Sequence, residues 1–329
     1  MKSLITGGAG FIGLHLAQVL RERGHSVTLV DNFARGVRDP ELDAFMGSSG
    51  VALENVDLLT PGALDGQADD YDYIFHLAAL LGVQNVRSRP YEVLIWNSRM
   101  LEEAIGLARR QKRLSRFLFS STSEIYAGTL HYFGMTVPTP ETTPIALMDM
   151  SEPRVSYMLS KIYGEELCRF AGVPFTIFRV HNAFGPRMGL SHVVPELLRK
   201  AHTLPEGSRM EVFSPSHSRS FCFISDIVEL IARMAETPSC QDQVLNCGAQ
   251  GPEITIRQLA DIVIQTVGRK LEIEPMPETP GSPQRRAPDM TKTGALTGYT
   301  AQVSVEEGVA RSYQWYRDRV FSGAQVSAV

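Results

Sequence analysis

A doubly wound α/β architecture is what this 329-residue chain predicts: a parallel sheet with helices on both faces, and a smaller mixed α/β lobe towards the C-terminus. Three observations predict it. An apolar strand, Lys2 to Thr6, runs straight into a glycine-spaced turn and an amphipathic helix starting near Phe11. Short apolar strands then alternate with helical lengths of chain through the first 180 residues, which is the pattern of βαβ units. Beyond residue 184 the alternation breaks and Pro and Gly become frequent, at Gly185-Pro186, Pro195, Pro205, Pro215 and from Pro275 to Pro288.

The turn reads Gly7-Gly8-Ala9-Gly10-Phe11-Ile12-Gly13. Glycine at 7, 10 and 13 lets the chain turn tightly, lets the backbone approach phosphates and lets helix pack on strand. The helix N-terminus adds free N–H groups and a partial positive charge. A second strand, Ser26 to Val30, ends in Asp31, followed by Asn32; an acid there accepts both hydroxyls of an adenosine ribose. Together these mark a Rossmann-type dinucleotide site, with Gly7, Gly10, Phe11, Ile12, Gly13, Asp31 and Asn32 at the cofactor. The Asp31 carboxylate repels a 2′-phosphate, which favours NAD. Arg35 and Arg38 pull the other way, because NADP wants an arginine near that position.

Four further strands follow in order: Val51–Asn55, Tyr73–His76, Arg116–Ser120 and Phe175–Arg179. Asp57-Leu58 after one, and Leu77-Ala78-Ala79 after the next, lie at carboxyl ends of strands, where such sheets bind ligands. Both are placed on the adenosine and ribose side of the cofactor pocket. Pro90 to Arg110 reads as a long helix, and Asn97 falls on its apolar face. A buried asparagine needs partners, so Asn97 holds a water or a lysine near the cofactor, or satisfies neighbouring backbone.

The expected domain limits are residues 1–184, with 219–240 returning to that domain, then 185–218 and 241–321 as the substrate lobe and 322–329 as a frayed tail. Helices are expected near Val193–Ala201 and Ile256–Val267, and Phe221–Ser225 with Asp226–Ala235 as a strand and helix rejoining the large domain. The apolar fraction of 43% and net charge of −4 describe an ordinary globular protein and argue against nucleic acid or an anionic membrane as partner. With no signal-like start and no apolar run near the roughly 18 residues of a membrane helix, a cytoplasmic location is expected. Cys168, Cys222, Cys240 and Cys247 lack CxxC spacing, so free buried thiols are expected, and no metal site.

Tyr157 and Lys161 stand four apart in a helical stretch and therefore share one face. An ammonium beside a phenol stabilises the phenolate and lowers its pKa from about 10. The phenolate can then take a proton from a sugar or alcohol hydroxyl, while Lys161 can also reach a nicotinamide ribose. Ser120-Ser121-Thr122 lies one strand earlier.

The glycine turn, Asp31-Asn32, His76-Leu77-Ala78-Ala79, Ser120-Ser121-Thr122-Ser123-Glu124-Ile125-Tyr126 and Tyr157-x-x-x-Lys161 together resemble the extended short-chain dehydrogenase/reductases that modify nucleotide sugars, the NAD-dependent epimerases and dehydratases. The resemblance covers nearly the whole chain. It implies that Thr122, Tyr157 and Lys161 are catalytic, that the reaction begins by oxidising the sugar C4 hydroxyl, and that Asn182, Arg187, Arg219 and Arg286 hold the nucleotide diphosphate sugar. It also implies a homodimer through the helices at Pro90–Arg110 and Arg154–Phe170.

A 4-keto sugar has several fates. Oxidation at C4 acidifies the C5 proton, so a carboxylate can drive epimerisation or loss of water, or the ketone can serve as electron sink for loss of a C6 carboxylate. Ser123 and Glu124 sit where this is decided, and an acid at 124 points towards the lyase branches. Pro153-Arg154, Gly185-Pro186-Arg187-Met188 and Arg286-x-Pro288-Asp289 are similar to nucleotide-glucuronate decarboxylases. Leu80 to Asn85 and an insertion at Thr129 to Pro140 depart from that pattern, and both are expected to border the sugar. The rival readings are a net C4 dehydrogenase or ketoreductase and, from another class, a non-catalytic dinucleotide-binding regulator.

Overall fold

The computed structural model describes residues 1–279 and 281–322, with the backbone alone at Val83. Apart from Ser322, the expected tail lies outside the described residues. The core is one seven-stranded sheet made of β1 (Lys2–Thr6), β2 (Ser26–Asp31), β3 (Val51–Asn55), β4 (Tyr73–His76), β5 (Arg116–Thr122), β6 (Phe175–Val180) and β11 (Gln243–Cys247). Their order is β3-β2-β1-β4-β5-β6-β11, with every pairing parallel. The chain winds outwards from β1 in one direction, then returns to β4 and winds in the other. This leaves the topological switch point between the carboxyl ends of β1 and β4, where doubly wound sheets bind ligands.

Strand β11 corrects the expected limits, which assign residues 241–321, and with them 243–247, to the smaller lobe. Val244, Leu245 and Cys247 are buried, and the strand docks along β6 from Thr176 to Val180. A five-residue strand with polar Gln243 and Asn246 among its apolar residues carries no signal of which sheet it joins, because that is decided by pairing distant in sequence.

Successive strand residues face opposite sides of the sheet, which produces two cores. Ile5, Leu29 and Phe75 pack on one face with α1 (Phe11–Glu22) and α8 (Ile224–Glu236); Leu4, Val30 and Ile74 pack on the other with α4 (Pro90–Arg110) and α6 (Val155–Phe170). Gly164 lets α6 come close, since a Cβ there would stand 2.5 Å from the Phe119 ring. Short helices α2 (Pro40–Met46), α3 (Val83–Ser88) and α5 (Ala127–Phe133) fill the connections.

The remaining elements form small sheets around the carboxyl edge. β7 (Ala183–Phe184) pairs with β10 (Cys222–Phe223), β8 (Arg209–Phe213) with β13 (Glu272–Met276), and β9 (Ser218–Ser220) lies between β12 (Glu253–Thr255) and β14 (Arg285–Arg286). They are covered by α7 (Val193–Thr203), α9 (Ile256–Val267) and α11 (Val305–Tyr316), while α10 (Thr291–Thr297) packs on β11 and α8. The expected strand at Phe221–Ser225 is only the two-residue β10, and it pairs with β7 rather than the main sheet. The helix after it does return, packing against α1. Helix α9 matches its expected span because its ends are written locally: Thr255 and Gln258 form a capping box and Gly268 closes it at φ +75°. The four cysteines are free and buried, and among the described residues no helix is long and apolar enough to cross a membrane.

Candidate active site

The glycine turn fits a dinucleotide by its shape. A Cβ on Gly13 would lie 2.2 Å from the Gly7 carbonyl oxygen, and one on Gly7, held at φ +72°, would lie 2.9 Å from the Ala78 nitrogen. Only glycine leaves this cradle open. Gly10 precedes α1 with no side-chain cap, which leaves the first N–H groups of α1 available to an anion such as a diphosphate. Asp31, 8% exposed, accepts from Ala9 N at 3.0 Å and Phe33 N at 2.8 Å. Its pKa is raised, burial outweighing those two bonds and the Arg187 charge.

Asn32 and Asp57 are exposed beyond the ends of β2 and β3, Leu58 is buried behind them, and Leu77-Ala78-Ala79 passes directly over Gly7. Asn97 takes the backbone reading: its amide donates to Leu80 O at 3.1 Å and accepts from Leu80 N at 2.7 Å. It also donates to the Ser160 hydroxyl at 3.2 Å, so it orders the loop after β4 beside α6 rather than touching Lys161.

On α6, Lys161 is 4% exposed. Its Nζ donates to Ser120 O at 2.7 Å and lies 5.9 Å from the Tyr157 ring centre. Burial lowers its pKa to about 8 against the pull of Cys168 and Glu165. Tyr157 behaves differently from the sequence expectation. Burial first, then the Glu124 charge, raises the phenol well above its ordinary value; the Thr122 hydroxyl and the Arg35 guanidinium oppose them. In the protein by itself, desolvation and the Glu124 charge therefore outweigh Thr122 and Arg35.

Thr122 ends β5 and starts the turn Ser123–Tyr126, where its hydroxyl accepts from Glu124 N at 3.3 Å. Ser123 is buried within that turn. Glu124 is held between two guanidiniums: Arg286 donates to Oε1 at 2.5 Å and Arg154 to Oε2. Burial pulls its pKa up, but Arg286 and Arg154 prevail and hold it at about 2. Glu124 is thus a fixed anion in this state, and both its oxygens are engaged.

Arg219 is brought to the same side, donating to Ser218 O at 2.7 Å and Ser282 Oγ at 2.9 Å. Burial, with repulsion from Arg286, lowers its pKa to about 10. Asn182, at φ +40°, donates to Ser220 O and Arg286 O, joining the strands that carry the two arginines. Arg187 is not in this cluster. It is buried on the cofactor side, with Nε 2.8 Å from Asp39 Oδ2, so its expected placement with the substrate residues does not match its contacts.

Sequence reasoning did not single out Arg154 as a partner of Glu124, nor the buried pair Glu165 and Arg179. Each carried a signal. Glu165 is one further turn along the face of Tyr157 and Lys161, and Arg179 sits within an otherwise apolar strand, where a charge requires a partner.

A model of the NAD dependent epimerase/dehydratase family matches residues 3–248. The chain is 31% identical to a UDP-N-acetyl-alpha-D-glucosaminuronate decarboxylase of Bacillus cytotoxicus, covering 96% of this chain and 98% of that one. It is 33% identical to UDP-glucuronic acid decarboxylase 1 of Xenopus tropicalis, covering 96% and 72%. Among solved structures, the UDP-glucose 4-epimerase of Thermotoga maritima with UDP-glucose superposes with a TM-score of 0.80 at 25% identity, over 97% of this chain and all of that one.

Proposed function

The chain belongs to the NAD-dependent epimerase/dehydratase family, and we propose that within it the enzyme decarboxylates a uridine diphosphate hexuronate. The observation that supports this reading is Glu124 pinned between Arg154 and Arg286 next to Tyr157. One anion between two cations leaves a net positive charge at the sugar end of the site, which suits a substrate carrying a carboxylate at C6 over a neutral hexose. The relatives at 31% and 33% identity are decarboxylases of such sugars.

Bound NAD would supply the hydride acceptor at C4 and return the hydride later, so that no net redox change results. With Lys161 and the positive nicotinamide ring beside it, Tyr157 would give up its own proton despite the raised pKa it has in the protein alone, and as phenolate it then takes the C4 hydroxyl proton while Thr122 holds that oxygen. Lys161 keeps a positive charge behind the phenol and lies where a nicotinamide ribose can be hydrogen-bonded. Once C4 is a ketone, the C5–C6 bond breaks, its electron pair moves into the C4 carbonyl and the C6 carboxylate leaves as carbon dioxide. C5 is then protonated. Both Glu124 oxygens are engaged by Arg154 and Arg286, an arrangement that favours holding charge at the sugar over removing the C5 proton for epimerisation or dehydration. Arg219 would face the nucleotide diphosphate, with Arg286 standing between that group and the sugar.

The enzyme should act as a homodimer through α4 and α6. These helices pack side by side and expose Tyr91, Tyr163 and Phe170, an apolar surface that a second copy would cover. Incubating the purified protein with UDP-glucuronate and UDP-N-acetylglucosaminuronate, with product mass and NADH absorbance followed together, tests the reaction. Loss of carbon dioxide without NADH accumulation is expected. A product of unchanged mass, loss of water, or stoichiometric NADH would each overturn it.

A further inference from the structure

Arg187 occupies a junction that the sugar chemistry does not explain. It lies in the loop from β7 to α7 with its backbone at φ +67°, an uncommon conformation for a residue with a Cβ. Its side chain is 4% exposed. All three nitrogens are directed at chain around the dinucleotide cradle: Nε to Asp39 Oδ2 at 2.8 Å, Nη2 to Val37 O at 2.9 Å and Nη1 to Ala9 O at 3.4 Å.

These acceptors form the two walls around Asp31. Ala9 belongs to the glycine turn, and its N–H binds one Asp31 oxygen. Val37 closes the loop in which Phe33 N binds the other. In that loop Gly36 lies so near that a Cβ would stand 2.7 Å from Asp31 Oδ1. Asp39 is itself fixed, because its Oδ1 accepts from Leu42 N at 2.9 Å and caps α2. Glu41, 3.6 Å from Arg187 Nε, is held by the Trp315 indole of α11 at 3.0 Å. One guanidinium therefore ties the glycine turn, the 32–38 loop and α2 to the segment leading into α7.

We infer that Arg187 is a cofactor-retaining residue: its buried bridge to Asp39, with the Val37 and Ala9 carbonyls, closes the adenosine end of the dinucleotide site and keeps NAD bound from one turnover to the next. Release requires the walls around Asp31 to part, and that means opening a desolvated ion pair. Breaking such pairs mainly raises dissociation rates. A cofactor reduced and reoxidised in place, as in the reading above, gains from slow exchange. The retention itself does not depend on which sugar is turned over.

The test is the dissociation rate of NADH from the full-length protein, followed by fluorescence on mixing with excess NAD in the absence of any sugar. Arg187→Met and Asp39→Asn are compared with Arg23→Met, whose ion pairs with Glu229 and Glu236 join α1 to α8 away from the cleft. Asn caps a helix about as well as Asp, so Asp39→Asn keeps α2 and carries the test if Arg187→Met fails to fold. Release at least about tenfold faster in both cleft variants, and no faster in the double variant than in Arg187→Met alone, is expected for groups acting as one unit. Release unchanged within about twofold, or an equal acceleration in Arg23→Met, would overturn the inference.

Discussion

The Arg179 guanidinium grips the Glu165 carboxylate through two bonds, Nε to Oε1 at 2.9 Å and Nη2 to Oε2 at 2.7 Å, and both side chains are 3% exposed. Oε1 also accepts from Ser121 at 2.6 Å, and Arg179 donates to the Tyr126 hydroxyl at 2.6 Å. This cluster locks α6, which carries Tyr157 and Lys161, to β5, which ends in Thr122. Removing one partner strands the other charge in the core, so Glu165→Gln should lower stability by about 3–5 kcal/mol. Urea unfolding of the cofactor-free protein measures it; a loss below about 1 kcal/mol would show that the pair is not isolated from water.

Tyr157→Phe removes the proposed proton acceptor for the C4 hydroxyl and leaves the glycine turn and Asp31 untouched. Turnover should fall by about 10²–10⁴, with NAD binding by calorimetry unchanged. Full turnover in the variant would exclude both the proposed mechanism and a role for this phenol.

Arg154→Met and Arg286→Met each leave Glu124 one guanidinium short. The hexuronate KM should rise at least about tenfold, while UDP affinity changes much less in Arg154→Met than in Arg286→Met. Equal weakening of UDP and hexuronate in both would place the pair at the nucleotide instead.

The Glu124 ion pairs also set an acid limit. A carboxyl whose folded pKa is depressed to about 2 stabilises the fold above the ordinary value of about 4.3 and loses that contribution as pH falls towards 2. The stability difference between the wild type and Glu124→Gln should therefore be constant from pH 5 to 7 and shrink below about 4.3. A difference that grew on acidification would contradict the paired, ionised state.

Lys161 sets the alkaline limit. Its ammonium persists below about 8, so kcat/KM should fall as pH rises through that value, and a Lys161→Met variant should lack this limb at its lower rate. Stability moves the other way. Between about 8 and 10.4 the unfolded chain binds the proton that the folded chain has released, so this group makes the fold more stable as pH rises.

At Gly13 a methyl group would meet the Gly7 carbonyl oxygen at 2.2 Å, backbone against backbone. Gly13→Ala should cost about 1–3 kcal/mol and abolish NADH binding by fluorescence titration. The same substitution at Gly24, where a Cβ meets nothing within 4 Å, should leave binding intact.

The sequence by itself determined six strands of the sheet, the glycine cradle with Asp31, and Tyr157 with Lys161. These rest on short-range rules: apolar runs, the helical repeat, turn residues and caps, all written within a few residues of each other. Six of the seven strands could be read that way; β11 could not, because its place depends on an edge offered by β6, whose paired residues lie 67 positions earlier. Charges were the other limit. Only the tertiary structure brought Arg154 and Arg286 onto Glu124, turned Arg187 from the substrate to the cofactor cradle, and crowded Tyr157 with desolvating neighbours and the Glu124 charge so that its pKa rises. Ion-pair partners come from segments 30 to 162 residues apart, and desolvation depends on everything packed around a group. Neither quantity is encoded in any one stretch of chain.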